Sequence, residues 1–132
     1  MECHDAGATP PATLAEFTLG SGSTQDFYDV SLVDGYNLQM IVEVNGGSGN
    51  CVTTGCVDDL NRWCPTELRV DGGGGCRSAC DAFGSPEYCC KGAFGTPETC
   101  RPTAYAQWSK HSSVNFMPST ILQAKPKAIV VT

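Results

Sequence analysis

Eight of the nine cysteines of this 132-residue chain fall between Cys51 and Cys100, and two of them, Cys89 and Cys90, are adjacent. Neighbouring cysteines seldom bridge each other, because the ring they would close is strained. They reach instead to two different partners and pin two loops at one point. A segment built this way is held by covalent staples more than by an apolar core. Crowded cysteines suggest metal sites in a reducing compartment and disulfides in an oxidising one. The spacings here do not favour zinc. There is no Cys-x2-Cys pair, Cys51-x4-Cys56 and Cys76-x3-Cys80 match loosely, and only His4 and His111 offer nitrogen ligands. Disulfides are therefore expected, with no metal. The odd count leaves at least one thiol unpaired or paired between chains.

The rest of the chain favours short strands over long helices, with fifteen glycines and eight prolines. Leu14 to Leu19 alternates as a strand does. Asp26 to Val33 is the clearest strand, with Tyr28, Val30 and Leu32 on one face and Asp29, Ser31 and Val33 on the other. Asp34-Gly35 is a hairpin signal, which predicts Tyr36 to Val44 as the returning strand. Within the cysteine-rich block, Val57 to Trp63 is expected to form a short helix with Asp58 and Asp59 at its N-terminus, and Glu67 to Val70 a short strand. Arg77 to Phe83 is expected to form one or two helical turns, and Thr103 to Lys110 another short helix. Ser85-Pro86 and Thr96-Pro97 read as turns. Trp63 and Trp108 read as packing residues, as do the strand aromatics.

The net charge of −6 argues against nucleic acid, which demands a surplus of Lys and Arg. No run reaches membrane-spanning length. The start, Met1-Glu2-Cys3-His4-Asp5, has neither the basic nor the apolar region of a secretory signal. Charge is uneven along the chain. Up to Cys100 there are four basic and fourteen acidic residues, a net −10, whereas Arg101, Lys110, Lys125 and Lys127 follow with no acid. The last segment has no cysteine and little pattern beyond Ala128-Ile129-Val130-Val131, a possible edge strand.

Several motifs carry a resemblance. Pro10-Pro11-Ala12-Thr13-Leu14-Ala15-Glu16-Phe17 and Asp26-Phe27-Tyr28-Asp29-Val30-Ser31-Leu32-Val33-Asp34-Gly35-Tyr36-Asn37 resemble the middle of thaumatin-like proteins, the pathogenesis-related family 5. So do Cys64-Pro65-Thr66-Glu67-Leu68-Arg69-Val70, Pro86-Glu87-Tyr88-Cys89-Cys90 and Gly95-Thr96-Pro97-Glu98-Thr99-Cys100. The match runs in order from about Cys3 to Lys110. The resemblance implies a mainly β fold, a partial thaumatin-like β-sandwich beside a disulfide-rich lobe containing short helices. It divides the chain into residues 1–56 with sandwich strands and cleft acids, residues 57–110 as the lobe, and residues 111–132 as a divergent tail.

The same resemblance implies the bridges Cys64–Cys76, Cys80–Cys89 and Cys90–Cys100. It assigns Cys3, Cys51 and Cys56 to partners outside this chain, which then reads as truncated at both ends. Missing sandwich strands are expected to leave the Tyr28, Val30 and Leu32 face uncovered, with open sheet edges. The family's acidic cleft maps onto Glu16, Asp29 and Asp34, while its arginine and a further aspartate fall outside. Carboxylates suit sugars because they accept hydrogen bonds from hydroxyl groups, and a suitably separated pair can act on a glycosidic bond. Asp29 and Asp34 are five apart, so a straight strand puts them on opposite faces unless the chain bends. The implied function is plant-type defence, binding β-glucan or glycoprotein of a fungal cell wall. The alternatives are a weak endo-β-1,3-glucanase using Glu16 with Asp29 or Asp34, and a truncated product with little activity. Binding ranks above catalysis because two cleft residues fall outside. No cofactor is called for. A monomer in the apoplast or vacuole is implied.

Overall fold

A computed structural model describes residues 7–21, 26–43, 45, 53–56, 58–106 and 113–114. Cys3, Cys51, Trp108 and Ala128 to Val131 lie outside them. Strand β1, Leu14–Thr18, pairs antiparallel with β2, Phe27–Ser31, in the register Leu14 to Ser31 and Glu16 to Asp29. A second sheet orders β3 (Ile41–Val42), β4 (Thr54–Cys56) and β5 (Ser113–Val114), all antiparallel. Strand β2 packs across onto β3 and β4. This makes a small two-layer β unit, mostly non-helical. Its order follows from alternation in β2, whose Tyr28 and Val30 face inward with Leu32 just beyond the strand.

That buried face corrects the expectation of an uncovered Tyr28, Val30 and Leu32. All three are buried, because the second sheet and the lobe cover them. The most exposed large apolar side chains among the described residues lie elsewhere, at Phe17 (63% exposed), Leu19 (79%) and Leu38 (69%). Trp63 is likewise on the surface at 58%, not a packing residue.

The chain does turn at Asp34-Gly35, with the Gly35 N–H donating to the Leu32 carbonyl at 3.0 Å, but no hairpin follows. Tyr36 leaves the sheet and exchanges both backbone bonds with Cys76, at 2.8 and 2.7 Å. Side chains then take the next backbone groups. Thr13 Oγ1 donates to the Leu38 carbonyl at 2.8 Å, and Asn61 Nδ2 donates to the Asn37 carbonyl at 3.0 Å. With these groups satisfied across the molecule, the chain does not pair back onto β2, and within the described residues the expected strand is reduced to β3, which pairs with β4 instead.

Two other short elements differ from expectation. A 3-10 turn at Leu60–Trp63 replaces the longer helix, capped by Asp59, whose carboxylate accepts from the Asn61 N–H at 3.0 Å. A second 3-10 turn, Thr66–Leu68, replaces the strand, leaving only Arg69 bridged to Cys76. The core sits where sheets and lobe meet, and comprises Leu32, Tyr36, Cys56, Leu60, Cys64, Leu68, Cys76 and Ala106.

In the lobe, α1 (Ala79–Phe83) starts at Ser78, whose Oγ accepts from the Asp81 N–H at 3.1 Å, and stops at left-handed Gly84. Helix α2 (Pro86–Cys89) has proline in its first turn, so Ser85-Pro86 begins a helix where a turn was expected. Helices this short are not stable alone. Cys80–Cys89 joins the two, Cys64–Cys76 ties the lobe to the core, and Cys90–Cys100 gathers the following loop. With sequence separations of 12, 9 and 10, each bridge contributes about 2–4 kcal/mol.

The ring of Pro11 lies between two glycines. A Cβ on Gly35 would sit 2.8 Å from Pro11 Cβ and 2.5 Å from the Cys76 carbonyl oxygen, and one on Gly75 would sit 2.6 Å from Pro11 Cγ. Gly35 (φ 89°) and Gly72 (φ 86°) share a left-handed backbone, but Gly72 has open space around it. Comparing the two separates backbone strain from collision. Gly72→Ala is expected to cost about 1 kcal/mol, and Gly35→Ala at least about 3 kcal/mol, measured as chemical denaturation under oxidising conditions. Equal losses would refute the packing role given to Gly35.

Candidate functional site

The turn after β2 faces the paired helices of the lobe across a cleft of about 250 Å³. Pro10, Val33 and Asp34 line one wall, and Ser78, Cys80, Asp81, Tyr88 and Cys89 line the other. At that size it accommodates a small part of a larger ligand. Among the described residues, no lysine or arginine lines it.

The three sequence-predicted acids take two different places. Glu16 and Asp29 stand directly opposite each other in the β1–β2 register, both half-buried. Opposed residues of an antiparallel pair share a face, with Cβ atoms about 4.5–5.5 Å apart. Oδ2 of Asp29 is shut off from solvent. Neither residue lines the cleft. Asp34 does, because β2 ends at Ser31 and the chain bends before Asp34. The straight-strand separation of Asp29 from Asp34 therefore does not apply.

The acids also differ in what already occupies them. Asp26 accepts from the Gly20 N–H at 2.6 Å, Asp59 caps a 3-10 turn, and Glu67 accepts from the Tyr105 hydroxyl at 3.0 Å. These carboxylates serve the fold. Those of Glu16, Asp34 and Asp81 hold no hydrogen bond or ion pair among the described residues.

Two cleft residues escaped the sequence reasoning. Asp81 sits three positions after the helix cap Ser78, a spacing that signals a helix start and says nothing of what the helix faces. Tyr88 stands out only once the fold groups its ring with those of Phe83 and Tyr105, at centroid distances of 5.4 Å and 5.6 Å, the third side being 5.3 Å. This triangle props Tyr88 beside the cleft. Tyr28 and Tyr36, by contrast, are buried. Among the described residues no His, Cys, Asp and Glu group could hold a metal ion, and no helix is long and apolar enough to cross a membrane.

Two phenols titrate above the ordinary value of 10.0. Tyr36 does so chiefly because burial disfavours its charged form. Tyr105 does so chiefly because its hydroxyl donates to Glu67, a bond that the phenolate cannot make. A value raised by folding contributes stability that is full below the unfolded value and lost as pH rises through the folded one. Stability is therefore expected to fall above about pH 10. Tyr105→Phe should make that fall shallower, read as the denaturant midpoint against pH. An identical alkaline profile in the variant would contradict the Glu67 bond.

A family model described as the thaumatin family matches residues 1–117. Thaumatin-like protein 1 of Arabidopsis thaliana is 64% identical over 113 residues, 81% of this chain and 44% of that protein. Pathogenesis-related thaumatin-like protein 3.5 of Cryptomeria japonica is 54% identical over 110 residues, 81% of this chain and 45% of that protein. A Prunus avium protein named glucan endo-1,3-beta-glucosidase is 53% identical over 109 residues, 80% of this chain and 44% of that protein. The chain thus spans less than half the length of these curated relatives.

Proposed function

The chain belongs to the thaumatin family, and on that premise we propose that it acts in plant-type defence by binding β-1,3-glucan, or a glycoprotein, of a fungal cell wall. The observation that carries this reading is the cleft lined by the uncommitted carboxylate of Asp34, with no cation among the described residues of its lining. A neutral polyol offers hydroxyl donors to such carboxylates, whereas an anion would be repelled. Relatives named as pathogenesis-related support the defence role. Bridged cysteines suit an oxidising, extracellular or vacuolar setting. The protein acts there as a monomer and without a cofactor.

Retention on insoluble β-1,3-glucan tests the binding. The chain should be held, and Asp34→Asn should weaken its affinity about tenfold, the loss expected for a charged hydrogen bond. Failure of the unsubstituted chain to be retained would dismiss the reading.

A second reading, hydrolysis, is favoured by the opposed pair Glu16 and Asp29 and by the relative named as a glucosidase. Two carboxyl groups on one face can divide the work on a glycosidic bond, one as acid and the other as base or nucleophile. Turnover of laminarin should then fall at least about a hundredfold in Glu16→Gln, in line with loss of a general acid. Turnover that does not depend on Glu16 would remove this reading and leave the first intact.

A further inference from the structure

We infer that the lobe wall of the cleft, Asp81 with Tyr88, is a binding wall of the same site, resting the apolar face of one sugar ring on Tyr88 while the Asp81 carboxylate takes its hydroxyl groups. The inference rests on the glucan-binding reading and extends it to two residues of the opposite wall.

Three observations converge on it. The first is placement. Asp81 and Tyr88 come from different helices yet line one cleft with Asp34 across from them. Each is next in sequence to a cysteine of the Cys80–Cys89 bridge, whose Cα atoms are 4.7 Å apart. One covalent link therefore holds both residues at the cleft, without a long helix to do so. The second is availability. The Asp81 backbone N–H is spent on Ser78 Oγ, but its carboxylate is uncommitted. A carboxylate that caps nothing and pairs with nothing keeps all its acceptor sites for a ligand. The third is shape. Phe83 and Tyr105 pack against Tyr88 at 5.4 and 5.6 Å and hold its ring in place, so stacking on it costs little ordering. A pyranose matches this combination, with an apolar ring face and a hydroxyl-bearing edge.

The test uses the full chain with its bridges formed, a laminari-oligosaccharide and a cello-oligosaccharide as the two probes, and calorimetric affinity as the readout. Asp81→Asn keeps the Ser78 cap, which uses only the backbone. It should bind the β-1,3-linked probe about tenfold more weakly. Tyr88→Ala should weaken binding to a similar extent, and Tyr88→Phe, which keeps the ring, should restore it. Glu87→Gln, on α2 but outside the cleft lining, serves as control and should bind as the unsubstituted chain does. Thermal transitions of all four variants report whether a loss reflects unfolding, and Tyr88→Phe with Asp81→Asn keeps the test decisive if Tyr88→Ala unfolds. Weakened binding in Asp34→Asn with unchanged affinity in Asp81→Asn would overturn this inference and spare the reading beneath it. No binding of either probe by the unsubstituted chain would overturn both.

Discussion

Tyr36 and Cys76 exchange backbone hydrogen bonds at 2.8 and 2.7 Å, and nearly everything else in the molecule is arranged around that exchange. On one side the chain has just left β2, and on the other it is about to enter the lobe. The Cys64–Cys76 bridge fixes the partner, and the buried Tyr36 ring fills the space between them, its hydroxyl donating to the Asp58 carbonyl at 3.3 Å. The contact does the work of a hairpin turn without being one. It satisfies polar groups that burial would otherwise leave unpaired, and it sets the turn carrying Asp34 opposite the lobe helices. The cleft exists because this junction holds two small units that have little core of their own.

Much of the fold could be read from the residues. Alternation at Tyr28, Val30 and Leu32 announces an inward face, and the crowding of cysteines announces a stapled lobe. Motifs such as Pro86-Glu87-Tyr88-Cys89-Cys90 name the family. What could not be read was where Tyr36 goes. Asp34-Gly35 carries the local signature of a hairpin, and local signatures concern only neighbours in sequence. The deciding partner, Cys76, is remote and held by a bridge. The same limit hid the lobe wall. Ser78 and Asp81 spell a helix start correctly, but which surface that helix meets depends on Pro10 and Val33, from the other end of the chain. Asp34 was singled out through resemblance; composition and spacing marked it only as a turn residue.

Charge separates along similar lines. A chain with fourteen acids and eight bases must place its surplus somewhere. Here part of it is consumed locally, at Asp26, Asp59 and Glu67, each holding one donor of the fold. The carboxylates of Glu16, Asp34 and Asp81 have no such duty. Free carboxylates are well solvated on a surface, but beside a concave, partly apolar wall they lose some of that water and gain by meeting donors from outside. The distinction is one of employment rather than position along the chain, and it needs coordinates to be seen.

The Pro11 wedge has a mechanical corollary. Its ring is pinched between Gly35 and Gly75, and its neighbour Pro10 forms part of the cleft rim. The position of that rim is thereby set by two missing methyl groups behind Pro11, on glycines that do not themselves line the cleft. Bulk introduced there would act as a shim, pressing on Pro11 and through it on the rim. Residues with no chemistry of their own can in this way govern what the cleft admits.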